Sequence, residues 1–225
     1  MATSSDYATR REPHEAAVGE GSLTHLFGAP FLSRVWPDSD ELNQDLRRRI
    51  LDRERNATAR SVTKSNVGGW QSASGGLEWC GEAGRVMAAR MLAMANDATR
   101  QLLILHGREL PGFRWIVDAW ANVNRTGDFN QPHVHGGSTW SGTYYVDPGE
   151  PAADSEHGTA LYLIDPGQAG AGHFFPDLVP ARFFIRPEAG KMVLFPSYLL
   201  HMVFAHRGKR PRISIAFNLR KEPFP

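Results

Sequence analysis

Three histidines, one arginine and one serine have the types and spacing to do chemistry together. His133 and His135 stand two apart, His201 follows His135 by 66 residues, and Arg212-Ile213-Ser214 begins 11 residues after His201. If His133 lies on a strand, His135 shares its face, because strand side chains alternate with period two. Two imidazoles so placed can chelate a divalent metal, and a third from a distant strand leaves coordination positions open for substrate and dioxygen. Arg212 and Ser214, also two apart, present donors suited to a carboxylate. A metal with open positions beside a carboxylate anchor suggests an oxygenase that uses a 2-oxo acid. Imidazoles also suit zinc and copper. No thiolate set or carboxylate base accompanies them, and the neighbouring anchor favours iron(II).

Each of these residues also has a plainer reading. His133 and His135 would be surface histidines at a turn, beside Pro132 and Gly136-Gly137. His201 would be a packed core histidine, with His206 as the rival third ligand. The basic run Arg207-Gly208-Lys209-Arg210 next to His206 implies an exposed side chain there. Arg212 and Ser214 would lie on the solvent face of a sandwich strand. Against that, Ile213, Ile215 and Phe217 alternate with Arg212, Ser214, Ala216 and Asn218, and a buried arginine needs an anionic partner. Asn122 shares a strand face with Trp120 and Asn124, and Tyr145 shares one with Ser141 and Thr143 while Tyr144 takes the other. Asn122 and one tyrosine, Tyr145 by preference, can hydrogen-bond the oxygens of a co-substrate. His173, Phe174 and Phe175 lie in a long loop that could touch substrate.

The elements that must position these groups follow from periodicity. Residues Thr24–Trp36 read as an opening strand. Leu42, Leu46 and Ile50 recur at spacing four and mark a helix from about Asp40 to Glu54. A second helix runs from about Glu82 to His106, with Val86, Ala89, Ala93, Leu102 and Leu105 as core candidates. Between them, Asn56–Gly76 is rich in Ser, Thr, Gly and Asn and reads as a loop whose Gly68-Gly69-Trp70-Gln71-Ser72 can approach the site. After Phe113 the pattern becomes short β-branched and aromatic runs divided by Gly and Pro. Those runs are Arg114–Asn124, Gln131–His135, Ser141–Val146, Ala160–Ile164, Arg182–Arg186, Lys191–Phe195, His201–Ala205 and Arg212–Leu219. Eight strands after two helices predict a mainly β, double-sheet jelly roll braced by N-terminal helices, in one domain over residues 23–225. Residues 1–22 read as a disordered leader, Pro148–His157 as a polar loop and Gly167–Pro180 as a candidate lid.

Composition narrows the function classes. Formal net charge is +1 with acids and bases interspersed, so nothing marks a nucleic-acid or anionic-membrane surface. No apolar run reaches the roughly 18 residues of a spanning helix. A single cysteine, Cys80, excludes an intramolecular disulfide and fits a reducing cytoplasm. With no histidine nearby, it reads as a buried or helix-start residue rather than a nucleophile. The expected partner is a small-molecule substrate, and a homodimer stays open.

Taken together the motifs resemble a bacterial family of 2-oxoglutarate/Fe(II)-dependent oxygenases, distant relatives of the prolyl 4-hydroxylases. The resemblance rests on Trp120-Ala121-Asn122, on Gln131-Pro132-His133-Val134-His135 and on Trp140-Ser141-Gly142-Thr143-Tyr144-Tyr145-Val146. Asp165-Pro166, Gly190-Lys191-Met192-Val193-Leu194-Phe195-Pro196-Ser197, His201 and Arg212-Ile213-Ser214-Ile215-Ala216-Phe217-Asn218 complete it, so that it spans about Trp115 to Leu219. It implies a double-stranded β-helix (jelly roll), and Fe(II), 2-oxoglutarate and dioxygen as cofactor and co-substrates. By position it implies His133, His135 and His201 as iron ligands and Arg212 with Ser214 at the co-substrate carboxylate. The wider superfamily carries Asp or Glu where His135 stands. Either the ligand set is three histidines, or a carboxylate such as Asp147 or Asp128 joins it. Two other functions are compatible with the sequence. One is a cupin-type three-histidine dioxygenase without 2-oxoglutarate, supported by Gly127 followed by five residues and then the His-x-His. The glutamate expected after that motif is absent. The other is a non-catalytic jelly-roll binding protein.

Overall fold

The computed structural model describes residues 28–56, 61–110, 112–150, 158–164 and 182–224. The expected leader, the lid over Gly167–Pro180 with His173, Phe174 and Phe175, and most of the Pro148–His157 loop lie outside them. The chain runs β1 (Leu32–Val35), α1 (Asp40–Arg55), β2 (Asn66–Val67), β3 (Trp70–Gln71), a 3₁₀ turn (Glu78–Cys80), α2 (Glu82–His106) and β4 (Phe113–Asn124). It continues through β5 (Phe129–His133), β6 (Trp140–Asp147), β7 (Leu161–Ile164), β8 (Arg182–Ile185), β9 (Lys191–Pro196), β10 (Leu200–Val203) and β11 (Arg212–Pro223). A six-stranded sheet has the order β1-β9-β6-β11-β4-β3 and a five-stranded sheet the order β2-β5-β10-β7-β8. Every pairing is antiparallel. This is the predicted two-sheet jelly roll.

Strict alternation along the large sheet creates two distinct interiors. Ala119, Ala121 and Val123 of β4, Tyr144 and Val146 of β6, Met192 and Leu194 of β9, and Ile213, Ile215 and Phe217 of β11 pack against Leu46 and Ile50 of α1 and Met87, Met91 and Met94 of α2. The residues between them point the other way. Tyr145, Val193 and Phe195 meet Leu161, Leu163 and Val203 of the small sheet. Period-two side-chain direction therefore gives each long strand one face for the helical brace and one for the space between the sheets. Among the described residues no helix is long and apolar enough to cross a membrane.

Several expectations need correction. Within the described residues the opening strand is only Leu32–Val35, paired to β9. The loop before α2 contains two two-residue strands, β2 at the edge of the small sheet and β3 at the edge of the large one, too short to show periodicity. On α2 the buried stripe is Ala83, Met87, Met91, Met94, Ala95 and Ala98. Ala89 and Ala93 face outward and Leu105 is 75% exposed. Apolar residues occur around much of this helix, so spacing alone did not select the packed face. The strand carrying His133 ends there, and His135 lies just beyond it.

Candidate metal and co-substrate site

His133 and His201 become neighbours because β5 and β10 pair in register, with His201 directly opposite His133. His135 joins them from the turn after β5, where its backbone N–H donates to the Ser197 carbonyl at 3.0 Å. Backbone anchoring, not strand alternation, brings it in. The ring centroids lie 4.2 Å apart for His133–His201, 4.9 Å for His133–His135 and 5.1 Å for His135–His201. One nitrogen from each falls within 4.8 Å of the others. His133 Nδ1 meets the Gln131 carbonyl at 2.7 Å and His201 Nδ1 the Leu199 carbonyl at 2.8 Å. A carbonyl can only accept, so each Nδ1 carries the proton and each Nε2 keeps a lone pair. This carbonyl-to-histidine arrangement orients imidazoles for metal.

Electrostatics favours the same state. Burial pulls the imidazolium of His201 down to about 3 and that of His135 to about 4, and burial lowers His133 as well. Close neighbours of the same type add to the effect at His201 and His135. Near neutral pH all three are unprotonated donors. No Asp or Glu joins the cluster among the described residues. Asp147 accepts from Arg47 Nε at 3.1 Å and from the Gly149 N–H, and Asp128 accepts from the Arg125 N–H. His206 is not a ligand candidate and is not exposed. It is 1% accessible and tied to Thr159 Oγ1 at 2.9 Å and the Arg210 carbonyl at 2.7 Å. The basic neighbours that suggested exposure supply that carbonyl from their own backbone.

The histidines open on a cavity of about 350 Å³ whose described lining also includes Arg212, Ser214 and Asn122, and no acidic residue. Arg212 is 2% exposed. Its Nη1 donates a long hydrogen bond, 3.5 Å, to Asn124 Oδ1, and among the described residues its Nε has no partner. The guanidinium carbon lies 5.5 Å from the centre of the Tyr145 ring, and the two side chains interact electrostatically. Burial lowers the arginine's proton affinity and raises that of the tyrosine. A buried cation facing a cavity with no counter-ion is a receptor for an anion. Register places the neighbours in a row: Gln71 opposite Asn122, Asn122 opposite Ser214, Ser214 opposite Tyr145. Tyr145 itself stands behind the cavity wall rather than in it.

The expected residues His133, His135, His201, Arg212, Ser214 and Asn122 thus share one cavity. Sequence reasoning missed Lys64, Ser65 and Asn130, which also line it. Ser65 Oγ lies 3.3 Å from His133 Nε2 and accepts from Asn130 Nδ2 at 3.3 Å. Nothing in their spacing marks these three, because the two-residue strand that follows the first two has no period to read.

Residues 118–218 match a family model described as "Putative 2OG-Fe(II) oxygenase". No curated protein matches the sequence significantly. Among solved structures, a prolyl-4-hydroxylase of Pseudomonas putida aligns with a TM-score of 0.58 at 18% identity, over 84% of this chain and 91% of that one. A Trichoplax adhaerens prolyl hydroxylase in complex with a hypoxia inducible factor peptide aligns at 0.57 and 14% identity, over 84% and 83%. The epimerase SnoN in complex with Fe3+, alpha ketoglutarate and nogalamycin RO aligns at 0.56 and 13% identity, over 84% and 78%. At these identities the structural likeness establishes the shared fold.

Proposed function

We propose that this chain, whose residues 118–218 match a 2OG-Fe(II) oxygenase family model, couples 2-oxoglutarate decarboxylation to hydroxylation, or a related C–H oxidation, of a small organic substrate. Enzymes of this family use Fe(II), 2-oxoglutarate and dioxygen. The residues fit that set. His133, His135 and His201 would hold the iron through one ring nitrogen each, atoms that lie within 4.8 Å of one another. Arg212 would bind the distal carboxylate of 2-oxoglutarate, with Ser214 and Asn122 as neutral donors beside it. Tyr145 fixes the guanidinium from behind. The observation that carries the reading is the pairing, in one cavity, of three imidazoles with a buried arginine that has no anionic partner among the described residues.

When bound, iron and 2-oxoglutarate would let dioxygen be split between two acceptors, one oxygen atom entering succinate as carbon dioxide is lost and the other oxidising the substrate. The protein's own contribution is placement. Gln131 and Leu199 carbonyls hold two ligands in one tautomer, so no proton must leave them when metal arrives. The apolar walls Leu161, Phe195 and Val203 keep water from the inner cavity. Arg212 orients the co-substrate by a two-point contact that a rotating ammonium cannot make.

The all-histidine ligand set also favours a second reading, a three-histidine dioxygenase that needs no 2-oxoglutarate. Iron-dependent conversion of 2-oxoglutarate to succinate, assayed by mass spectrometry with labelled co-substrate, separates the two. We expect succinate from the parent protein and none from His201→Ala. Oxygen consumption without succinate would transfer the assignment to the second reading.

A further inference from the structure

The cavity carries two further groups to which the proposed iron and 2-oxoglutarate site assigns no role. Lys64 reaches it from the loop before β2 and Gln71 from β3. Gln71 is only 3% exposed, yet its Nε2 has no hydrogen-bond partner among the described residues. Buried amide donors are normally satisfied, so this one calls for an acceptor. Lys64 Nζ donates to Ser74 Oγ at 3.0 Å and lies 5.6 Å from the Trp120 ring centre. Among the described residues it pairs with no carboxylate.

Charge balance adds an independent argument, which rests on the oxygenase reading of the inner site. An iron dication and a 2-oxoglutarate dianion cancel. Three imidazole ligands add nothing, where the carboxylate ligand usual in the superfamily would have added a negative charge. Arg212 and Lys64 then remain as uncompensated positive charge in a cavity whose described lining holds no Asp or Glu. Low-dielectric walls strengthen that field for whatever binds next.

We propose that the substrate carries a carboxylate, bound at the cavity mouth by the Lys64 ammonium and the Gln71 carboxamide, with Trp120 beside it. One cation and one neutral donor suit a monoanion. A doubly charged phosphate would call for a larger donor set.

The test uses the full chain loaded with Zn(II), which blocks turnover, and saturated with 2-oxoglutarate. Fluorine NMR then measures the affinity of para-fluorobenzoate and of para-fluorobenzamide, two probes of one shape that differ in charge. We expect the benzoate to bind about tenfold more tightly. Lys64→Met should erase the preference, Lys64→Arg should keep it, and Gln71→Leu should weaken benzoate alone. Equal affinities, no measurable binding of either probe, or a preference that survives Lys64→Met would overturn the proposal. Binding of 2-oxoglutarate is followed in the same samples. If it fails there, the inner-site reading fails. If it holds while the probes are not distinguished, only the carboxylate assignment falls.

Discussion

Arg212 is held among dipoles and a phenol ring, with no counter-ion among the described residues, and that makes it the most informative side chain to change. Charge-assisted hydrogen bonds to a buried partner contribute roughly 1.5–3 kcal/mol each. Arg212→Ala should therefore weaken 2-oxoglutarate binding about ten- to thousandfold, each tenfold being about 1.4 kcal/mol. Iron binding should persist, since the arginine is not among the converging nitrogens. An anaerobic titration of the iron-loaded variant, followed by its visible charge-transfer band, measures this, and an unchanged curve would remove Arg212 from the co-substrate site. At the ligands, His135→Asp should retain iron, because it restores the carboxylate usual at this position. Asp147→Asn should also retain it, since Asp147 is occupied by Arg47 and Gly149. Loss of iron from the asparagine variant alone would reinstate the carboxylate. Cys80 offers a control unrelated to the site. Burial pushes its thiol up to about 12, the Arg49 charge opposing only in part. Its folded-state value is raised, so the stability linked to the protonated thiol is complete below about pH 8.5 and is lost as pH climbs towards 12. At pH 8, iodoacetamide should leave the native protein unmodified and label it once denatured; rapid native labelling would contradict the burial.

At the scale of elements, β6 shows how tightly the strands are fitted. A Cβ on Gly142 would collide with the Phe217 ring on β11 and the Val193 carbonyl oxygen on β9. The carbonyl is part of the sheet and cannot swing aside. Overpacking of this kind costs about 1–3 kcal/mol, so Gly142→Ala should lower Tm by several degrees in calorimetry. A Tm equal to the parent's would mean that the sheet is more pliant here than its packing implies. The eight strands from β4 onward were legible as short β-branched and aromatic runs, and those of the large sheet also alternate between a helix-facing and a cavity-facing side, as Ile213, Ile215 and Phe217 do against Arg212, Ser214 and Ala216. Three features were not. Strands β2 and β3 are shorter than any period. On α2 the methionines and alanines form more than one apolar stripe, and the sheet selects Met87, Met91 and Met94. His206 has basic neighbours that conceal a plugged, hydrogen-bonded ring. The metal triad was legible by residue type, whereas the approach of His135 depends on the Ser197 carbonyl, a contact 62 positions away that leaves no local trace.

Across the whole molecule, the three candidate metal ligands tie β5, β10 and the turn after β5, and they exist as a set only in the folded chain. A ligand that binds only the native state stabilises it by mass action, about 2.7 kcal/mol at a hundredfold excess over Kd. For a chain of this size that corresponds to a Tm rise of roughly 5–10 °C. Fe(II) under anaerobic conditions, or Zn(II) in air, should produce this rise in differential scanning fluorimetry, and His201→Ala should abolish it while keeping its own cooperative transition. An equal rise in that variant would place the stabilising metal elsewhere. The two-sided construction of the large sheet has a consequence for change over generations. Replacing a cavity residue on β11 disturbs a strand whose opposite face anchors the helical core, so selectivity there is expensive to alter. The Lys64–Gln71 segment furnishes the mouth from short strands at the margins of both sheets. New preferences can be sampled there by drift or by directed evolution while the oxidising centre and the scaffold stay as they are.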